Sequence, residues 1–484
     1  MISDKTKIAK NASVLVVTDI IIRLLGTILT ITIARKLGAA DLGLLAFAMA
    51  FTTPFALFVG FGFNNLISRD VAQDLNRTGS YIGTIFVIKS IFAVIITLLI
   101  IGILALTNYT VEKLVVVCIA GFIMMIGSFE DFFTAFFRAH QKAQYEAIIK
   151  IIPNLLSVLS GLIILYLGYD LLHLISVRFL VYLAGFAIGF GLLIKKLAKP
   201  SFNFEIDFCK NLVKSAAPFA LLGIIANTNV QMGTIILSFM KGDLVTGWFS
   251  AAHRLCGVFS FFSMAFVGAV LPAMAKFSQK NESESLTKTY EASIKYLLIF
   301  SLPLAVGISI LADKFIMVIY GQDYTNSILV LRILIWTLVF SFSNRACMVA
   351  FASINQEKKF LRIQIVGVVI NLCLNFLLIP IFGQNGVPIA TIATEIVILI
   401  SSIYTLSNRY RDAKLRKVTI KPILAAIIMG VFLLFFRQHG LLFLIPVSAL
   451  LYGVSLIVLK TFDNVEQTVL HELFGRKILR FNFS

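Results

Sequence analysis

Long apolar blocks alternate with short polar breaks from one end of the chain to the other, and the blocks have membrane length. Fourteen of them approach or exceed the ~20 residues that a helix needs to cross a bilayer core. They begin near residues 12, 42, 81, 111, 148, 171, 212, 245, 291, 326, 362, 387, 420 and 441. The longest breaks, residues 195–211, 275–290 and 408–420, leave no room for a soluble domain. The pattern predicts an all-α polytopic membrane protein with about 14 transmembrane helices.

Glycines mark a repeat inside this pattern. Gly38 and Gly43 recur as Gly242 and Gly247, an offset of 204, with Ala46 and Ala48 opposite Ser250 and Ala252. Farther on, Gln141, Tyr145 and Gly168 fall opposite Gln356, Phe360 and Gly383 at an offset of 215. Six spans fall in each repeat. An even number means that both halves enter the membrane in the same orientation, so the expectation is two parallel-repeat six-helix lobes plus two C-terminal helices. The boundaries are residues 1–200 for the first lobe, 201–211 for a cytoplasmic linker, 212–410 for the second lobe and 411–461 for helices 13 and 14. Residues 462–484 form a cytoplasmic amphipathic tail, with Val465, Val469, Leu473 and Phe474 at helical spacing before Arg476, Lys477 and Arg480.

Composition agrees with the pattern: 59% of residues are hydrophobic and 14% charged, unlike a soluble domain. The net charge of +18 raises nucleic acid as a partner, and its distribution dismisses it. Cations such as Lys5, Lys7, Lys10, Lys195, Lys196, Lys199, Arg409, Lys414 and Arg416 share one side, and the other keeps little beyond Arg35, Lys36, Lys113, Lys241, Lys314 and Arg437. Excess Lys and Arg marks the cytoplasmic face, which places both termini there. Asp19 and Arg23 interrupt the first apolar run, so it reads as a retained span and not as a cleaved signal. The five cysteines lack metal-ligand spacing, and no nucleotide-binding loop or paired metalloprotease histidine appears. No metal, cofactor or enzymatic activity is expected.

Charges inside the spans carry the chemistry, because Arg, Lys or Asp at the bilayer centre costs about 2.5–3.5 kcal/mol on insertion scales. Arg23 lies roughly 16 Å into span 1 at 1.5 Å per residue, and its repeat equivalent is Asn227, followed by Asn229 and Gln231. Asp19, one turn earlier, is spaced to pair with Arg23; a pair that only holds helix 1 is the structural alternative. Arg254 lies mid-span beside His253, and Lys89 lies within helix 3, neither with an acid one turn away. Arg178 is nearer a span end, where anchoring at the interface is an equal reading. Arg23, Lys89, Arg178, Asn227, His253 and Arg254 are therefore the candidate substrate-binding residues. Among the acids, Glu130 and Asp131 point about 100° apart and cannot both face one cavity. Asp19, Asp131 and Glu395 are the candidates for coupling to a proton or Na⁺, each with a structural role as the alternative. Cations outnumber acids in the core, which favours an anionic phosphate or pyrophosphate substrate.

With these residues laid out, the chain resembles the polysaccharide flippases, the Wzx-like branch of the superfamily that also holds the MATE exporters and lipid II flippases. The match runs through Ala34-Arg35-Lys36-Leu37-Gly38 to Gly43, Gly60-Phe61-Gly62-Phe63, Arg69, Ala252-His253-Arg254, Pro272 and Tyr320-Gly321-Gln322-Asp323-Tyr324. Asn371, Asn375, Leu378-Ile379-Pro380, Gly383 and Gly386 to Ala390 complete it. Gly60 departs from the many relatives with an acid before this turn. The resemblance implies alternating access, a cationic central cavity and a polyprenyl-(pyro)phosphate-linked oligosaccharide moved from the cytoplasmic to the outer leaflet of the cell membrane. Membrane lipids and other polysaccharide assembly proteins are the further partners it implies, and helices 13 and 14 would accommodate the polyprenyl tail. The alternatives are an ion-coupled MATE-like exporter, which calls for an acidic cavity, and a polytopic glycan polymerase or glycosyltransferase, which calls for a large catalytic outer loop.

Overall fold

The structure is a computed structural model that describes residues 2–107, 109–201, 206–280, 282–410 and 412–462, apart from the side chains of 2–13, 16, 218, 221, 222, 224–230 and 261. The amphipathic tail expected beyond residue 462 and linker residues 202–205 lie outside the described residues. Sixteen α-helices follow one another among the described residues: α1 (Ile2–Gly60), α2 (Phe63–Gln73), α3 (Thr78–Ala105), α4 (Val111–Ala139), α5 (Ala143–Tyr166), α6 (Leu171–Lys196), α7 (Ile206–Lys241) and α8 (Asp243–Gln279), then α9 (Ser283–Ile310), α10 (Ala312–Ile319), α11 (Ser327–Leu334), α12 (Thr337–Ser353), α13 (Glu357–Phe382), α14 (Gly386–Leu406), α15 (Leu415–Phe435) and α16 (Leu441–Val458). Helix α1 holds two spans that meet at Gly38, where φ 87° breaks the helical path. With α11 and α12 taken as one crossing and α2 and α10 too short to cross, the helices make fourteen spans.

These helices form because an apolar chain in lipid must satisfy its backbone internally. Polar side chains within them do the same locally: the hydroxyls of Thr18, Thr27, Thr30 and Thr52 each donate to the carbonyl four residues earlier. The short α2 is amphipathic instead, burying Phe63, Leu66, Ile67 and Val71 behind a left-handed Gly62 cap.

Backbone conformation repeats as the glycine spacing anticipates. Gly38 and Gly242 both take positive φ, 87° and 82°, as do Gly168 and Gly383, 83° and 55°; only glycine does this without steric cost. One register shifts. In the α4–α5 turn Lys142 N donates to Phe137 O, and in the α12–α13 turn Gln356 N donates to Phe351 O, both at 2.9 Å. Gln141, at φ 53°, is therefore matched by Asn355, at φ 56°, and not by Gln356. The 214 offset still holds at the helix starts, Ala143 and Glu357, and 215 has returned by Gly168 and Gly383.

Packing groups the chain into two compact units. One comprises Met1–Arg254, Ile319–Asn326 and Val368–Val387; the other comprises Leu255–Val318, Ser327–Gly367 and Pro388–Ser484. In the first, α1 packs along α4, α5 and α7, and α6 closes against α4 and α5. In the second, α9 is the central helix, flanked by α12 and α15, with α16 against α15. The loop after α15 is tied down as well: Arg437 pairs with Asp313 at 2.9 Å, and Lys314 donates to the carbonyl of His439.

Candidate functional site

Three arginines converge inside the first unit. Arg254 of α8 lies within electrostatic range of Arg23 of α1 and Arg178 of α6, with Tyr320 beside it. Its guanidinium rests on Gly26, one turn along from Arg23: a Cβ at position 26 would stand 2.5 Å from Arg254 Nη2. Arg178 is held by its Nε, which donates to Ser157 Oγ of α5 at 3.1 Å. Arg254 Nε is buried with no hydrogen-bond acceptor among the described residues, and no ion pair among the described residues neutralises any of the three. A cluster of fork-shaped donors without an internal counter-charge is chemically matched to a phosphate or pyrophosphate.

The other candidates take varied positions. His253 stacks on Phe249 of its own helix, ring centroids 5.5 Å apart, and so sits next to the cluster in sequence. The side chain of Asn227 lies outside the described residues. Lys89 is fully buried, donating to Ser128 Oγ at 2.8 Å and Ser128 O at 3.1 Å over the rings of Phe129 and Phe132. Phe129 is also a wall of an apolar cavity of about 400 Å³ between α3, α4 and α6, so the lysine sits in hydrocarbon-like surroundings.

Among the carboxylates, Asp19 is exposed and among the described residues forms no ion pair with Arg23; it also lies within electrostatic range of Arg138 of α4. Asp131 is 56% exposed and lies 3.6 Å from Lys150 of α5, which also reaches Glu146. Glu395 of α14 accepts from Asn344 Nδ2 of α12 at 2.6 Å, while its backbone carbonyl accepts from the same group at 3.0 Å.

A second constellation, missed in reading the sequence, closes the Gly38 end of the first unit. A Cβ on Gly43 would fall 1.8 Å from Asp243 O, and a Cβ on Gly247 would fall 1.8 Å from Ala39 O, so α1 and α8 touch backbone to backbone. Beside them Lys113 Nζ donates to both Asp243 carboxylate oxygens at 2.9 Å and lies over the rings of Tyr109 and Phe47. Ser238 Oγ adds a third hydrogen bond to Asp243 at 2.8 Å. The Tyr320–Tyr324 motif closes the same end: Tyr324 OH donates to Ala34 O at 3.1 Å, Trp248 Nε1 to Asp323 O at 3.1 Å, and Arg35 Nε to Ile319 O at 2.7 Å. The glycine spacing signalled this junction; nothing in the sequence paired Lys113 with Asp243.

Comparison with known proteins gives the fold a context. A flippase from Haloferax volcanii described as the probable low-salt glycan biosynthesis flippase Agl15 is 22% identical over 359 residues, 74% of this chain and 75% of that one. A solved structure of the lipid II flippase MurJ in an inward closed conformation superposes with a TM-score of 0.75 at 15% identity, covering 95% of this chain and 98% of the other. An inward-facing multidrug resistance MATE family transporter gives 0.69 at 16% identity, covering 80% and 96%; both likenesses concern the fold. The family profile for the lipid II flippase MurJ matches residues 171–455, and the one for the polysaccharide biosynthesis protein family matches residues 8–278. With fourteen spans in two parallel repeats and profiles that together run through nearly the whole chain, this multi-pass membrane protein belongs to the polysaccharide biosynthesis protein family and shares its second half with the lipid II flippases.

Proposed function

We propose that the chain is a flippase that carries a polyprenyl-(pyro)phosphate-linked oligosaccharide from the cytoplasmic to the outer leaflet by alternating access. The observation that carries this reading is that Arg254 lies within electrostatic range of Arg23 and Arg178 from two other helices, with no ion pair to any of the three among the described residues. A pyrophosphate presents several acceptor oxygens and at least two charges to that cluster, whereas the apolar tail stays in the bilayer. Kinship with a protein named as a glycan flippase supports the same substrate class. His253 is the neighbour of Arg254 on α8 and joins the site in this proposal, as does Asn227, the repeat counterpart of Arg23 in the sequence. Lys89 acts from behind, fixing α3 on α4 through Ser128.

The lobes are assigned to residues 1–200 and 212–410, the added helix pair to 411–461, and both termini to the cytoplasm on the strength of the Lys and Arg distribution. The Gly38 end is then the outer end, and the Gly43–Gly247 packing is its closed state. A proton or Na⁺ supplies the driving force. Asp131 and Glu395 each have a polar partner, so each is available for that role only if its surroundings rearrange, whereas Asp19 is exposed. The exporter reading has the fold likeness in its favour and the cationic cluster against it.

The test is translocation of a fluorescent polyprenyl-pyrophosphate glycan in proteoliposomes by wild type, Arg23→Ala and Arg254→Ala at matched insertion. Loss in both variants supports the headgroup site. Undiminished transport in both removes the arginines from the mechanism, and wild-type transport of cationic amphiphiles instead would favour the exporter.

A further inference from the structure

Glu130 stands apart from the other carboxylates of the membrane core. It lies in α4 and is 6% exposed, and its Oε1 is sealed with no hydrogen-bond donor. Among the described residues neither of its oxygens takes part in a hydrogen bond or an ion pair. Its neighbour Asp131 is half exposed and satisfied by Lys150. An ionised carboxylate without donors in such a site costs several kcal/mol, whereas the neutral acid costs far less. The site thus suits a carboxyl that carries a proton.

Its surroundings connect it to the arginine cluster. Gly185 of α6 faces it, so that a Cβ there would stand 3.1 Å from Glu130 Oε1 and 2.5 Å from Pro153 Cγ of α5. Pro153 interrupts the α5 hydrogen-bond ladder, and such prolines are where helices bend. The same α5–α6 seam continues with Tyr182 OH donating to Asn154 Oδ1 at 3.1 Å and then with Arg178 Nε donating to Ser157 Oγ. Pro153 and Ser157 are one turn apart on α5, and Gly185 and Arg178 are two turns apart on α6, about 10 Å at 1.5 Å per residue. A change in how α5 bends at Pro153 therefore changes both the space around Glu130 and the hold on Arg178.

We propose that Glu130 binds the proton that couples transport to a pH gradient, an inference that rests on the flippase reading above. On release, the carboxyl O–H bond breaks, its electron pair stays on oxygen, and the proton passes to water. The charged groups that face Glu130 are Asp131 on its own helix and Lys150 on α5; α6 presents Gly185 and no charge at this level. Lys150 lies one turn before Pro153, 3.6 Å from Asp131 Oδ1 and from Glu146 Oε1. It is the cation able to swing toward a deprotonated Glu130 as α5 rebends, which repositions Ser157 and with it Arg178. Proton occupancy and headgroup affinity then bias one two-state element.

The experiment compares wild type, Glu130→Gln and Glu130→Asp in proteoliposomes with a fluorescent polyprenyl-pyrophosphate glycan, with and without a pH gradient. Glu130→Gln keeps the shape of the site and cannot release a proton. Wild type should respond to the gradient by about tenfold per pH unit for one coupled proton, Glu130→Asp should respond in part, and Glu130→Gln should retain gradient-free exchange with no response. A Glu130→Gln variant that still responds like wild type overturns the proposal, as does a wild type that transports without any response. Infrared difference spectroscopy of the purified protein across a pH titration supplies an arm independent of transport: a protonated-carboxyl band absent from Glu130→Gln supports the site even if this glycan is not moved, and an unchanged band overturns it. Failure of transport with the band assigned to Glu130 would fault the substrate reading alone.

Discussion

Gly43 and Gly247 are reciprocal partners: each lies against the backbone at the helix start of the other repeat, Gly43 on Asp243 O and Gly247 on Ala39 O, at the same 1.8 Å distance from an added Cβ. The four positions 39, 43, 243 and 247 are related by the single offset of 204, which is the signature of a local two-fold arrangement inside the first unit. Such close approach is open only to glycine, and small residues are what let membrane helices come within backbone contact.

Alanine at either position should force α1 and α8 apart by about 1.5 Å to restore an ordinary C···O separation. Gly43→Ala and Gly247→Ala should each destabilise the closed arrangement by about 1–3 kcal/mol, and the double variant should cost less than the sum because the first opens the seam for the second. Spin-label distances across this junction measure it. Unchanged distances in both single variants would show that the seam is not closed in the membrane.

Lys113 and Asp243 form the charged part of the same junction, mostly out of solvent at 11% and 23% side-chain exposure. Lys113→Gln should cost about 1.5–3 kcal/mol of the closed state, the range for hydrogen bonds to charged groups, shifting the closed-to-open ratio ten- to hundredfold. The exchanged pair Lys113→Asp with Asp243→Lys should recover part of this, since Ser238 and the rings of Phe47 and Tyr109 are arranged for the native polarity. Equal behaviour of the single and exchanged variants would dismiss the pair as a latch.

Gly26→Ala separates stability from substrate binding. The atom it would meet, Arg254 Nη2 at 2.5 Å, ends a flexible side chain, so the helix can accept the change and gains up to about 1 kcal/mol in helix preference. The guanidinium must turn away, and losing one bidentate contact should weaken headgroup affinity about tenfold. Thermal melting that holds or rises while titration calorimetry with a pyrophosphate-bearing lipid weakens is the expected pair of results. Undiminished affinity would place the headgroup elsewhere.

What the sequence could reveal follows from what each signal reports. Span lengths were legible because lipid imposes length, and Gly38, Gly168, Gly242 and Gly383 because their backbone demands glycine. Helical spacing reports which residues share a face and says nothing about which neighbour that face meets. Hence the spacing set Asp19 one turn from Arg23 without showing that Asp19 also lies in range of Arg138, and it put Lys89 within a span without showing that Ser128 accepts from it. The 100° argument rightly separated Glu130 from Asp131. It could not say that the discarded one faces Gly185 and Pro153, because that depends on how α4, α5 and α6 assemble.

Asp313 provides a pH-dependent check on how the last helix pair is held. Burial pushes its carboxyl up, and the Arg437 guanidinium 2.9 Å away, together with the backbone N–H groups of Asp313 and Lys314, more than reverses this, leaving the group below the ordinary carboxylate value. A depressed carboxyl contributes stability in full above the unfolded-state value of about 3.9 and loses it as pH falls through the folded value. Wild type should therefore lose thermal stability on acidification below about pH 4 in this linkage, with hydrogen exchange rising first in the loop at 436–440. Arg437→Gln should be less stable at neutral pH and should show a shallower acid slope, because the carboxyl keeps only the more distant Arg332 guanidinium, at 4.0 Å, and its backbone donors. An acid slope identical in wild type and Arg437→Gln would assign the loss to other carboxylates and leave Lys314 and the α9–α15 packing as what holds the pair in place.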